Sequence, residues 1–377
     1  MLDILLTAAV SFIITFLAIP VILVIAEQKK LFDVPDERKL HAQAVASLGG
    51  VGIFSGFLLA VLLSVQVSAN PEFQYFCASA LVIFFLGLKD DLIVISASKK
   101  FIGQLIAAAI VIHLGGIRID GMHGFLGVNE LPLIFSYALS YLTIILVINS
   151  FNLIDGIDGL AASLGIMTML VFGTYFFMNG NQAYALLAFA MGGSLVAFLI
   201  FNHHPAKIFM GDSGSLMIGL IASILVIKFI SVASDPFVAV PVSSTVAVGV
   251  SVLFLPLVDT LRVFAIRIYN GRSPFTPDRN HIHHLLLGWG LNHAAVTLIC
   301  LGVNIAFLML TWTARSLGST IILLGLFSLA LIGIGCIYYL RPRKGMVITR
   351  GRSGATELKT PSKVVALVHD TANAENN

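Results

Sequence analysis

Five stretches of this chain hold the residues able to do chemistry. They are Asp90 and Asp91 in "LKDDL" (88–92), followed by Lys99 and Lys100 in "SKKFIGQ" (98–104); Asn152, Asp155 and Asp158 in "NLIDGIDG" (152–159); Asp212 in "FNHHPAKIFMGDSGS" (201–215); Arg279, His281, His283 and His284 in "RSPFTPDRNHIHH" (272–284); and the charged run "LFDVPDERKLH" (31–41). Their types point towards phosphate. Carboxylate and amide oxygens are the hard donors that Mg2+ takes while sharing a substrate's phosphate oxygens, and Mn2+ accepts similar sets. Lysine, arginine and histidine donate charge-assisted hydrogen bonds to a diphosphate. Gly211 and Gly214 around Asp212 let a phosphate approach backbone amides at a helix start.

Each feature also has a plainer explanation. Asp90 and Asp91 fit a solvated helix end, with Lys99 and Lys100 as neutralising partners. Asn152, Asp155 and Asp158 share one face at i, i+3, i+6, and one aspartate would suffice as a helix cap. Asp212 would serve as a cap as well. His281 and His284 stand at zinc-ligand spacing, but no cysteine or glutamate completes a familiar zinc set. Phe209 packs at an interface or stacks on a base.

The elements that must position these residues are apolar. The 377 residues are 58% hydrophobic and 11% charged, against about 25% charged in soluble domains. Eleven segments (3–26, 47–68, 74–89, 101–116, 133–150, 159–178, 183–201, 214–233, 239–266, 293–313 and 318–340) approach or exceed the ~18–20 residues needed to cross a bilayer. The fold expected is an all-α polytopic membrane protein with about 11 transmembrane helices. Residues 1–340 form the transmembrane domain and 341–377 a polar, disordered tail. Residues 117–132, "IRIDGMHGFLGVNELP", read as a small exterior β-hairpin. Three cysteines in apolar segments give no disulfide framework.

Nineteen of the 22 lysines and arginines fall in one set of loops and the tail, leaving Arg118, Lys228 and Arg315 on the other side. Cytoplasmic loops carry that excess, so the N-terminus is expected outside and the C-terminus inside. All five polar stretches then share the cytoplasmic face. A cation-coupled transporter would more often place its carboxylates near the bilayer midplane. A receptor or scaffold would explain the spans but not five polar stretches on one side.

Taken together and in this order, "DERKLH", the Asp90–Asp91 pair, "NLIDGIDGL", "FNHHPAKIFMGDSGS" and "SPFTPDRNHIHH" resemble the polyprenyl-phosphate N-acetylhexosamine-1-phosphate transferase family over residues 1–340. The "PDRNHIHH" form is similar to the branch that handles N-acetylglucosamine, whereas the peptidoglycan branch more often has a triple-histidine run. Val94 stands where the family often carries a third carboxylate.

The resemblance implies that undecaprenyl phosphate attacks the β-phosphorus of a UDP-N-acetylhexosamine at the inner membrane of a bacterium, releasing UMP. UDP-GlcNAc is the first choice of donor; another UDP-N-acetylhexosamine or UDP-MurNAc-pentapeptide is the alternative. It assigns Mg2+, with Mn2+ as a substitute, to Asp212 and Asn152. Asp90 and Asp91 take the lipid phosphate, with Asp91 favoured for direct chemistry. Asp158 and Phe209 take the uracil. Asp155, Asn202, Arg279, His281, His283 and His284 line the nucleotide-sugar site. Lys99 and Lys100 bind acceptor phosphate, and Asp33 and Lys39 build the rim. No nucleic-acid partner is expected, and a homodimer stays open.

Overall fold

A computed structural model of the protein describes residues 1–31, 45–273 and 280–340. Asp33, Lys39, Arg279 and the whole 341–377 tail lie outside the described residues. The chain runs through α1 (Leu2–Lys29), α2 (Gly49–Ser64), α3 (Glu72–Leu92) and α4 (Ala97–Ala109), which a π turn extends to Leu114. After the short strands β1 (Gly121–Phe125) and β2 (Val128–Glu130) come α5 (Leu133–Ile154), α6 (Leu160–Met178), α7 (Gln182–Asn202) and α8 (Gly211–Ala233). Then follow α9 (Thr245–Val252), α10 (Phe254–Tyr269), α11 (Ile282–Leu287), α12 (His293–Thr313) and α13 (Ser319–Tyr339). Helix is the natural state for such runs, because lipid offers no partner to a free backbone amide or carbonyl.

Each of the eleven apolar segments forms helix. Eight helices are long and apolar enough to cross a membrane, or nine if α9 and α10 count as one bent span. Of the other two segments, α2 has only 16 residues and α3 ends on the charged run Lys89, Asp90, Asp91. The 117–132 stretch does contain a hairpin: β1 and β2 pair antiparallel, with Gly121 opposite Glu130 and Phe125 opposite Val128. Leu126 and Gly127 at its tip have φ of 52° and 77°, the two positive values that a tight two-residue turn needs.

The 239–266 segment departs from a continuous span. It breaks at Leu253, and α9 and α10 are bent 81° apart. Pro256 explains this, because its ring has no N–H and crowds the carbonyl four residues back, that of Val252. Asn304 of α12 takes over the freed groups: it donates to Val252 O at 3.0 Å and accepts from Leu255 N at 2.8 Å. That exchange makes a broken helix tolerable at membrane depth.

Helix α8 is central, with 83% of its apolar window buried against 17% for α1 and 22% for α13. Glycines bring its neighbours into backbone contact. An ideal Cβ on Gly87 of α3 would lie 2.5 Å from Ser213 Cα, and one on Gly219 2.5 Å from Ile148 Cα of α5. Small residues permit such approach between membrane helices. The segments entering α2 and α8 also pair. Phe209 N donates to Ala46 O at 2.8 Å, and Gly49 N and Gly50 N donate to Phe209 O and Met210 O at 2.9 and 2.8 Å. The N-termini of α2 and α8 are therefore held side by side.

Candidate active site

The site is built on the N-terminus of α8. Gly211 turns into it with φ +70°, where any side chain is strained; a Cβ would also sit 2.5 Å from Ser47 O and 2.7 Å from the Asp91 carboxylate. Asp91, at the end of α3, accepts from Asp212 N (2.6 Å), Ser213 N (3.0 Å) and Ser213 Oγ (2.6 Å). It is the cap of α8, supplied by another helix, and its charge faces the positive end of the α8 dipole.

Asp90 turns the other way. One of its oxygens accepts from Ile95 N at 2.8 Å, and the other lies 3.3 Å from Lys100 Nζ. Lys100 also donates to Asp212 Oδ2 and, at 3.2 Å, to Asn152 Oδ1. Asn152 donates from Nδ2 to Asp212 Oδ1 at 2.7 Å and to Ser215 Oγ at 3.0 Å. Four helices (α3, α4, α5 and α8) thus each send one polar side chain to one point. Lys99 is exposed, in contrast to half-buried Lys100. Val94, in the place of a third carboxylate, is 92% exposed.

The turn between α5 and α6 closes one side. Burial, then repulsion from Asp212, Asp91 and Asp158, pushes the Asp155 carboxyl up to about 8. Asp158 is buried and faces His204 Nδ1 at 2.6 Å, His293 Nδ1 at 3.2 Å and Ala206 N at 3.2 Å, all through Oδ2. Burial works against this carboxylate, but hydrogen bonds from His293 and His204 outweigh it and hold it down to about 2. These three residues could be read as a metal cluster. The 2.6 Å contact is instead a hydrogen-bond length, well under the ~3.3 Å edge of a tetrahedral shell with ~2 Å bonds. Asn202 accepts from Gly159 N at 2.9 Å and donates to Ile208 O at 2.8 Å, so it ties this turn to the segment entering α8. Phe209 is half-buried in that segment.

The histidines arrive with α11. His281 and His283 are stacked, centroids 5.6 Å apart and planes within 6°, and His284 lies 4.4 Å from His283. His283 is 1% exposed, and neither ring nitrogen has a partner among the described residues. Its Nε2 lies 2.3 Å from where a Cβ on Gly156 would be, so only glycine admits the ring there. Burial, helped by neighbouring His284, pushes this imidazole down to about 3, which keeps it neutral. His281 faces the Asp259 carboxylate of α10, donating from Nδ1 to Oδ2 at 2.8 Å.

Sequence reasoning assigned no role to Asp259, His204 or His293. The signal for Asp259 was a carboxylate inside an apolar segment, three residues before Arg262. His204 and His293 gave none, since their partner is distant in sequence.

Asp90 and Asp212 thus converge on Lys100, and the Asp155 carboxyl feels the charges of Asp212 and Asp91 beside them. The surplus of carboxylates, felt most at Asp155, fits a divalent cation, and the all-oxygen donors at Asp212 and Asn152 suit Mg2+ or Mn2+ better than zinc.

Residues 73–230, which run from the first turn of α3 to the last turn of α8 and so hold Asp90 to Asp212, match the family model for glycosyl transferase family 4. The chain is 32% identical over 307 residues to the probable undecaprenyl-phosphate N-acetylglucosaminyl 1-phosphate transferase of Bacillus subtilis (strain 168), covering 79% of this chain and 82% of that protein. The chain belongs to glycosyl transferase family 4. A second relative is the decaprenyl-phosphate N-acetylglucosaminephosphotransferase of Mycolicibacterium smegmatis, at 35% identity over 93% of this chain and 90% of that one. A third is the undecaprenyl-phosphate alpha-N-acetylglucosaminyl 1-phosphate transferase of Escherichia coli (strain K12), at 27% over 78% and 77%. The family match covers the four converging helices, while α10 and α11, which bring Asp259 and the histidines, lie beyond it.

Proposed function

We propose that this protein transfers N-acetylglucosamine-1-phosphate from UDP-GlcNAc to a polyprenyl phosphate, undecaprenyl phosphate in the first instance, giving the lipid diphosphosugar and UMP. The observation that carries the reading is the convergence of Asp90, Lys100, Asn152 and Asp212 from four helices at one end of an apolar bundle. The names of the three relatives support the transferred group and the acceptor class.

The chemistry follows from the charges. An oxygen of the lipid phosphate forms a bond to the β-phosphorus, and the bond from that phosphorus to the oxygen bridging the two phosphates breaks. UMP leaves with that oxygen. Both reactants are anions, so the site must offset repulsion and hold them in line. A bound Mg2+ would neutralise diphosphate charge, and Asp212 and Asn152 are the residues to hold it. Lys100 stands between Asp90 and Asp212, where a cation serves acceptor and donor phosphates together. Asp90 faces Lys100 while both Asp91 oxygens are bound by α8, so Asp90 is the better candidate for the acceptor phosphate and Asp91 the anchor. A phosphate monoester, with its second pKa of about 6, is mostly ionised near pH 7 and needs no base. Asp155 and Phe209 lie on the nucleotide side, with Asp158 bracing the turn between them. His281, His283 and His284 complete the nucleotide-sugar side.

An amphiphilic acceptor explains why the site lies at helix ends. The topology proposed with it has eleven crossings counting α2 and α3, the hairpin and N-terminus outside, and the C-terminus in the cytoplasm of a bacterium. The test is purified protein with Mg2+, undecaprenyl phosphate and a panel of UDP-sugars. A lipid product with the mass of the diphospho-GlcNAc adduct is expected from UDP-GlcNAc, and ion uptake into vesicles without UMP release would favour the transporter reading.

A further inference from the structure

Asp259 is 1% exposed in α10, beyond the α9–α10 break. A carboxylate at membrane depth is costly unless paired, and by default it marks function. Its partners are specific. Oδ2 faces His281 Nδ1 at 2.8 Å, while Oδ1 accepts from Ile282 N at 3.0 Å and from Arg262 Nη2 at 3.1 Å. Arg262 also donates to Asn280 O, so it grips the residue just before His281. One carboxylate and one guanidinium therefore set both the backbone entry into α11 and the ring of its first histidine.

This arrangement acts on a ring nitrogen. A carboxylate facing Nδ1 fixes the proton there and leaves Nε2 as the nitrogen that turns elsewhere. The His281 ring is stacked on His283, whose Nε2 abuts Gly156 in the Asp155–Gly159 turn. His283 thus lies between the His281 ring and that turn, and its packing fixes the plane of the His281 ring.

We propose that Asp259, braced by Arg262, is a positioning residue that holds His281 in the Nδ1–H form with Nε2 presented to the nucleotide sugar; this rests on the transferase reading above. Replacing the carboxylate by an amide of the same shape keeps an acceptor for Ile282 N but puts an N–H donor within reach of His281 Nδ1, which favours the wrong tautomer. Misplacing a substrate-contacting ring costs on the order of 100-fold.

The test is a double-mutant cycle on the full-length protein in detergent or nanodiscs, with UDP-GlcNAc and undecaprenyl phosphate as substrates and UMP as the readout. Asp259→Asn should lower kcat/KM for UDP-GlcNAc about 100-fold, with KM for the lipid near wild type. His281→Ala should lose a similar factor, and the double variant should be no slower than His281→Ala alone. Should Asp259→Asn fail to fold, Asp259→Glu takes its place in the cycle, since it keeps the charge but displaces the ring, and the same non-additivity is expected. Losses that multiply in the double variant, wild-type kcat/KM in Asp259→Asn, or failure of both Asp259 variants to fold would overturn the proposal and leave Asp259 a purely structural ion-pair partner. An active wild type with multiplying losses condemns only this proposal. A wild type that releases no UMP from any UDP-sugar condemns the transferase reading and this proposal with it.

Discussion

Adjacent aspartates need not do the same work. Asp90 and Asp91 are neighbours in sequence, yet Asp91 binds the α8 N-terminus through three hydrogen bonds while Asp90 faces Lys100. Asp91→Ala should therefore lower thermal stability by about 0.5–2 kcal/mol, the usual cost of losing a helix cap. Asp90→Ala should leave the melting temperature near wild type while transfer to polyprenyl phosphate falls. Asp212→Asn keeps the hydrogen bonds of α8 and removes the charge that Lys100 and a metal need. Turnover should drop by about 10²–10³-fold in a folded protein, and near wild-type turnover at limiting Mg2+ would remove Asp212 from the metal site. His283 makes a pH prediction. Its imidazole titrates near 3 in the folded protein and near 6.5 unfolded, so the unfolded state binds the extra proton first. Stability is then unaffected above about 6.5 and lost as pH falls towards 3. From pH 7 to 5 the wild type should lose melting temperature relative to His283→Asn; the comparison is between the two proteins because Asp155, with its carboxyl up at about 8, works in the opposite direction in both. At this scale the sequence named most of the chemical residues. It could not show that Asp158 belongs to His204 and His293 or that Asp259 belongs to His281, because those partners come together only through the fold.

Elements explain how four helices reach one point. Gly87 lies one turn before Asp91 and faces the backbone of Ser213, so α3 can approach α8 closely enough to cap it. Gly87→Ala should push the helices apart at a cost of about 1–3 kcal/mol, visible as a lower melting temperature together with reduced turnover. Helix was legible over the eleven apolar runs, since most are long, and the hairpin from its alternating run and glycines, but the six-residue α11 was too short to show a helical period. The break at Leu253 was not, although Pro256 was in view. A proline in a membrane helix gives a kink or a full break according to whether a neighbour re-satisfies the backbone, and that neighbour, Asn304, lies on another helix.

The described residues form an apolar bundle around α8, with Asp90, Asp91, Asp155 and Asp212 gathered at helix ends. The lysine and arginine bias expects those ends in the cytoplasm. A tag placed after Asn377 should therefore be labelled only after cells are permeabilised; labelling in intact cells would reverse the topology. The central claim is that a phosphosugar, and not a sugar alone, moves to the lipid. The most direct measurement uses UDP-GlcNAc carrying 32P at the β-phosphorus, with purified protein, Mg2+ and undecaprenyl phosphate. The account predicts that the label enters the lipid phase while unlabelled UMP is released in equal amount. Label that stays in the aqueous phase as UDP, beside a glycosylated lipid, would contradict it.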